Sequence, residues 1–132
     1  MRWGRFVLAL VVTSVATLMI DVVLNAIVFR DVYKRSSALL LPSDQLNARV
    51  LLGWGALLVI VGAFGLLLVR GGWRGPWAGL QFGSLLALAS VAGVAGIASI
   101  VPWPAELLVA IGVQQLLNSL LLGLLFGLFH RR

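Results

Sequence analysis

Four carboxylates are the only acids in this chain of 132 residues: Asp21, Asp31, Asp44 and Glu106. They share the sequence with a single histidine, His130, and with no cysteine. Asp31 and Asp44 flank a polar connection. Glu106 opens an apolar run, where a carboxylate complements the positive end of a helix dipole. Asp21 differs from all three, because it lies inside an unbroken apolar stretch, TLMIDVVLN, from Thr17 to Asn25. No second acid stands three or four residues from another to make a metal pair, and no Ser, His and Asp compose a nucleophilic set. The absence of cysteine excludes disulfides, thiolate nucleophiles and thiolate metal sites. No histidine within an apolar run is available to ligate haem, copper or a chlorin, so neither cofactor nor metal is expected. Glycines are scattered inside apolar runs rather than between a strand and a helix, unlike a nucleotide-binding loop. Enzymatic activity is not expected from this inventory.

Residues three and four apart share one face of a helix. Ser14, Thr17, Asp21 and Asn25 follow that spacing and form a polar stripe, which must turn from lipid toward protein or trapped water. The last apolar run holds a matching cluster, Gln114, Gln115, Asn118 and Ser119. Counted at about 1.5 Å per residue from the midpoints of two antiparallel runs, Asp21 lies level with Gln114 and Gln115. Gln81 lies too far toward the opposite end of its run. The spacing leaves open which glutamine faces Asp21, since Gln115 shares its face with Ser119, Gly123 and Gly127, and Gln114 shares its face with Asn118. No Lys or Arg is available at that depth, and an unpaired ionised carboxylate there is costly, so the neutral form is expected. A neutral carboxyl both donates and accepts, which makes it adhesive between two helices, worth ~0.6–2 kcal/mol. The competing expectations are a proton- or cation-binding site and pairing with a cation of another subunit.

The elements that position these groups follow from composition. The chain is 61% hydrophobic and 11% charged, against roughly half and a quarter for a soluble domain. A domain of this size cannot hide that much apolar surface, so the excess is expected to face lipid. Four runs are longer than the roughly 18 residues needed to cross a bilayer: Phe6–Phe29, Ala48–Val69, Trp77–Val101 and Glu106–Phe129. They lack the alternation of a membrane β-barrel. The expected fold is therefore an all-α integral membrane protein, an antiparallel bundle of four transmembrane helices forming one domain over residues 1–132. A signal peptide led by MRWGR is not expected to be cleaved, since the apolar stretch behind it is too long and no A-x-A site follows.

The net charge of +6 does not point to nucleic acid, because the basic residues stand at the ends of the runs rather than along a stripe. Arg2, Arg5, Arg70, Arg74, Arg131 and Arg132 fall on one side, six in all, against Arg30, Lys34, Arg35 and Arg49 on the other, four in all. Both termini are thus expected in the cytoplasm, with the chain multi-pass in a bacterial inner membrane and its basic side chains on lipid phosphates. Trp3, Trp73 and Trp77 mark one interface, and Tyr33 and Trp103 the other. RGGWRGP suits a tight turn, SSALLLPSD suits the membrane surface, and Ser43 or Asp44 is expected to cap the second helix.

Small residues recur at spacings of three and four. Gly79, Gly83 and Ala87 form one ridge on the third helix, and Ala89, Gly93 and Gly96 form another. Ser119, Gly123 and Gly127 form a strip on the fourth. Such ridges let backbones approach closely, and two on one helix point to contacts beyond a single chain.

Asp21, Tyr33 and the segment GLQFGSLLA give the chain a layout that resembles small bacterial four-helix membrane proteins of unknown function. That resemblance implies the fold and no activity. The size and the first-helix acid also resemble small multidrug resistance transporters, in which a glutamate is the proton and substrate site. This chain has aspartate there, no basic residue inside a later span, and no aromatic box beside the acid. The function expected is noncatalytic: an accessory or structural subunit of a larger membrane assembly, or a homo-oligomer, with membrane lipids and membrane proteins as partners. The alternatives are a small oligomeric proton- or cation-coupled transporter or channel using Asp21, and a binder of an apolar lipid or quinone-like ligand between the first and fourth helices.

Overall fold

The computed structural model describes residues 2–131, and at Ser43 the backbone alone. Six α-helices follow in order: α1 (Trp3–Val23), α2 (Arg30–Arg35), α3 (Ser43–Ala48), α4 (Val50–Arg70), α5 (Gly75–Ala98) and α6 (Ala105–Phe129). No strand occurs among the described residues. Four stretches, Trp3–Val28, Val50–Arg70, Gly75–Ala98 and Ala105–Phe129, are long and apolar enough to cross a membrane. Their ends differ from the expected runs by a few residues, as helix termini commonly do.

Two departures are larger. The first span is not α-helical throughout: Leu24–Val28 is a π-helix, closed by the Phe29 N–H donating to Leu24 O at 2.7 Å. The first loop is also more structured than a surface segment. A 3-10 turn, Ser37–Leu39, precedes α3, which has Pro42 at its N-cap and Asp44 in its first turn. Arg49 interrupts the chain before α4 restarts at Val50. Neither Ser43 nor Asp44 therefore caps α4, and the Ser43 side chain lies outside the described residues. RGGWRGP does turn tightly, with Gly72 at φ 77° and Gly75 at φ 87°, conformations that a side chain resists.

α6 is the centre of the bundle, in contact with α5, α1 and α4. Its closest neighbour is α5. Gly79 lies against Gly123 so tightly that a Cβ on either would overlap the other's carbonyl oxygen, and a Cβ on Gly127 would likewise overlap the carbonyl oxygen of Gly75. A Cβ on Gly83 would stand 2.7 Å from Ser119 O. Partners that run 75–127, 79–123 and 83–119 make the two helices antiparallel. Phe6 on Phe126 and Asp21 on Asn118 make α1 antiparallel to α6 as well.

The apolar core gathers at the end of the bundle that carries the termini. Phe6, Ala9, Val61, Leu68, Leu122 and Phe126 are all buried there. The Phe126 ring meets Phe6 edge-on at 5.7 Å and fills the space over Gly65, where a Cβ would strike it. The loop end is open. Every described residue of α4 from Val50 to Ile60 is exposed except Leu57. Gly93 and Gly96, expected as packing residues, have nothing within 4 Å of where a Cβ would stand. The small-residue ridges thus divide: Gly79, Gly83, Gly123 and Gly127 pack within the chain, while Gly93 and Gly96 do not.

This division yields a stability test by unfolding in mixed micelles, followed by far-ultraviolet circular dichroism. Gly79→Val and Gly123→Val each drive a side chain into a carbonyl and should destabilise by about 1–3 kcal/mol or more. Gly93→Ala and Gly96→Ala meet open space and should stay within about 0.5 kcal/mol of the parent.

Candidate functional site

Asp21 reaches α6. Its Oδ1 accepts a hydrogen bond of 2.8 Å from Nδ2 of Asn118, an amide about one turn before the terminal-end core begins at Leu122. The depth match expected between Asp21 and the last helix is thus realised at Asn118 rather than at either glutamine. Gln114, one turn toward the loop end, instead accepts at Oε1 from the Tyr33 hydroxyl at 3.4 Å. Gln115 is exposed yet borders the same space. Only carboxyl, amide and hydroxyl groups compose this cluster.

The space is a cavity of about 260 Å³ bounded by all four long helices. Thr17 and Asp21 supply its α1 wall, Ser90 its α5 wall, and Gln114, Gln115, Asn118 and Ser119 its α6 wall. Gly53, Leu57 and Val61 close it along α4. The Thr17 hydroxyl and Asn118 Oδ1 are buried with no hydrogen-bond partner among the described residues. Thr13 and Ser14, one turn deeper, are buried with unpaired hydroxyls too. Buried polar atoms are ordinarily satisfied, so those at the cavity invite water or a ligand that donates.

The polar stripe of α1 is realised as far as Asp21. Ser14 and Thr17 are buried and Asp21 is half-buried, but Asn25 is exposed. Asn25 stands at the start of the π-helical turn, beyond the buried part of the stripe. It lines instead an outer groove between α1 and α4, together with Asp21, Gly53 and Trp54. The cavity between the first and last helices is polar along α1 and α6 and apolar where Ile60, Phe64 and Leu86 face it. The apolar groove lies elsewhere, between the loop-end halves of α5 and α6, lined by Val91, Val94, Leu108 and Val113.

Tyr33 is the member that sequence reasoning placed elsewhere, as an interface marker. It follows Phe29 by one turn on α2, which packs back against α6. Burial, and then the negative charge of Asp21, push its phenol above the ordinary tyrosine value of 10.0. A second link from this loop to α6 joins Arg35 Nη2 to Glu106 Oε2 at 2.7 Å, with both side chains more than 60% exposed at 62% and 63%. A pair so exposed adds little stability, but it holds α2 near the start of α6.

Asp21→Leu should remove the interhelical bond and leave Asn118 unpaired, destabilising the bundle by ~0.6–2 kcal/mol in the same unfolding assay, whereas Asp21→Asn keeps an acceptor and should lose less. Tyr33 is the only tyrosine, so tyrosinate absorbance during a base titration reads it alone. Its midpoint should exceed that of a free tyrosine, and Asp21→Asn should bring it only part of the way back, because burial remains. The folded chain holds this proton more tightly than the unfolded chain. The stability linked to it is therefore complete below the ordinary tyrosine range and is lost as pH rises through the folded-state midpoint.

Comparison with known protein families, with curated proteins and with solved structures finds no match to this chain. The two resemblances drawn from its layout therefore bring no assigned activity to Asp21 or its neighbours.

Proposed function

We propose that the chain is a noncatalytic multi-pass protein of the cell membrane, with both termini cytoplasmic, that works as a component of an intramembrane assembly. The observation that carries this reading is the partition of the glycines inside its helices. Gly65, Gly79, Gly83, Gly123 and Gly127, toward the terminal end, each pack too closely to admit a side chain. Gly53, Gly55, Gly93, Gly96 and Gly112, toward the loop end, have nothing within 4 Å, as do Gly4 in the first turn of α1 and the turn glycines Gly72 and Gly75. Glycine inside a helix is about 1 kcal/mol less favourable than alanine, a cost that close helix packing offsets. At the loop end no helix of this chain supplies that packing. Another membrane-embedded chain would, and a second copy is the simplest occupant.

A proton- or cation-coupled transporter using Asp21 is the second reading, favoured by the cavity that its carboxylate borders. One set of variants separates the two. The chain has no cysteine, so a single introduced thiol reports its own surroundings. Oxidation in native membranes should trap a dimer from Gly93→Cys or Gly96→Cys, and none from Met19→Cys on the outer face of α1. Monomer bands at every position, with a lone monomer in mild detergent, would defeat the assembly reading. A pH-driven flux in liposomes that Asp21→Asn abolishes, with assembly intact, would put the second reading in its place.

A further inference from the structure

A second cavity, of about 420 Å³, lies at the terminal end, far from Asp21. Arg2 and Arg5 of α1, Arg70 at the end of α4 and Arg74 before α5 all line it, with Trp3 and Trp73 between them. His130 completes the wall from α6, its ring stacked on Phe126 and its Nδ1–H donating to Phe126 O at 2.9 Å. Residues from both ends and the middle of the chain thus converge on one basin. None of the four acids borders it: Asp21 is on the central cavity, and Asp31, Asp44 and Glu106 belong to helices that begin at the loop end.

Among the described residues no acid offsets this charge. Arg2 and Arg74 are the N-cap residues of α1 and α5, and neither helix has an acid in its first turn. The C-terminal ends of α4 and α6 reach the same basin, so the dipoles of the four helices largely offset one another and the four guanidinium groups carry the positive field. By contrast, α2, α3 and α6 each carry an acid in the first turn, namely Asp31, Asp44 and Glu106. Among the described residues the one ion pair is Arg35 with Glu106, at the other end. Guanidinium groups converging at a helix terminus match a phosphate, which accepts several N–H donors at once.

A neighbouring groove indicates where that phosphate comes from. It is lined by Leu8, Leu128 and Phe129, bounded by Arg5 and Arg131, and shares Arg5 with the basin. A polar anion in the basin is thereby continuous with an apolar trough running along α1 and α6. Tryptophans at the rim suit the headgroup level of a bilayer. A free phosphate would use the basin alone, whereas an anionic phospholipid would use both.

We propose that the basin of Arg2, Arg5, Arg70 and Arg74 is a binding site for the phosphate headgroup of an anionic phospholipid, with one acyl chain in the Leu8–Phe129 groove. Basic pockets between membrane helices recognise anionic headgroups by this chemistry.

The test is native mass spectrometry of the full chain in mild detergent, titrated with phosphatidylglycerol or phosphatidylcholine. Phosphatidylglycerol adducts should form at lower lipid concentration. Arg70→Gln with Arg74→Gln should weaken them by roughly five-fold for each arginine removed. Arg30→Gln with Arg35→Gln removes the same charge from the loop end and should leave them within about two-fold. Arg70→Lys with Arg74→Lys keeps the charge and guards against a folding defect, with helicity checked by circular dichroism. Equal affinity for the two lipids, or equal loss from both Gln pairs, would overturn the site. Saturable binding of glycerol 3-phosphate that displaces phosphatidylglycerol at similar concentration would show a soluble anion as the occupant and overturn the lipid assignment. The membrane reading is separable, since a chain that partitions into liposomes yet shows no lipid preference would lose the basin alone.

Discussion

Where Gly79 meets Gly123, two helices approach closer than any pair of side chains would permit, and the register this imposes carries through α6 to the rest of the bundle. Helices long and apolar enough to cross a membrane would gain no hydrophobic drive to associate within lipid, where close van der Waals contact takes its place. With α5 held against one side of α6, the opposite side presents Phe126, Leu122 and Asn118 to α1 and α4. Phe126 then fits over Gly65, a position that any larger residue would block. Helix α1 docks last in this logic, by Phe6 on Phe126 at one level and Asp21 on Asn118 at another. Two contacts some distance apart along one helix fix both its rotation and its height.

The same seam explains why the bundle is closed at one end and open at the other. Glycine pairing on α5 stops at Gly83, with Ala87 the last buried residue of that helix. Beyond it α5 has no buried residue and α4 is exposed from Val50 to Ile60 except at Leu57, although Leu107 and Ala110 of α6 stay buried. The cavity lies at this transition, beside the apolar core. That position reconciles a carboxylate with an apolar surrounding, since amide and hydroxyl groups line its walls and a direct bond to Asn118 holds its Oδ1.

The four long apolar helices, their approximate limits, the inward turn of Ser14, Thr17 and Asp21, and the Gly79–Gly83 and Gly123–Gly127 ridges were legible in the sequence, whereas the short helices α2 and α3 were not. Each rests on hydropathy or on a helical period, and both survive translation into three dimensions. What escaped depends on contacts between distant segments. Gln114, Gln115 and Asn118 are equally polar and nearly level, so only the rotation of α6, set by the glycine seam, chooses Asn118. Gly93 and Gly96 have the same spacing as packed glycines, and nothing local reveals that their neighbours lie elsewhere. The unpaired arginine basin escaped for a related reason, because Arg2, Arg5, Arg70 and Arg74 come together only once the helices are bundled.

The π-helical turn at Leu24–Val28 links these levels. Asn25 stays beside Asp21 on the outer groove between α1 and α4, and the wide turn ends at Phe29, whose φ of −106° and ψ of 20° leave the helical path. From there α2 packs against α6. Tyr33 then donates its hydroxyl to Gln114, a wall residue of the cavity. Wide turns of this kind recur at functional sites, where a helix must present a group that its regular period would misplace. Here the bend links Asp21, on the α1 wall of the cavity, to Tyr33, which bonds Gln114 on the α6 wall, within one short stretch of chain.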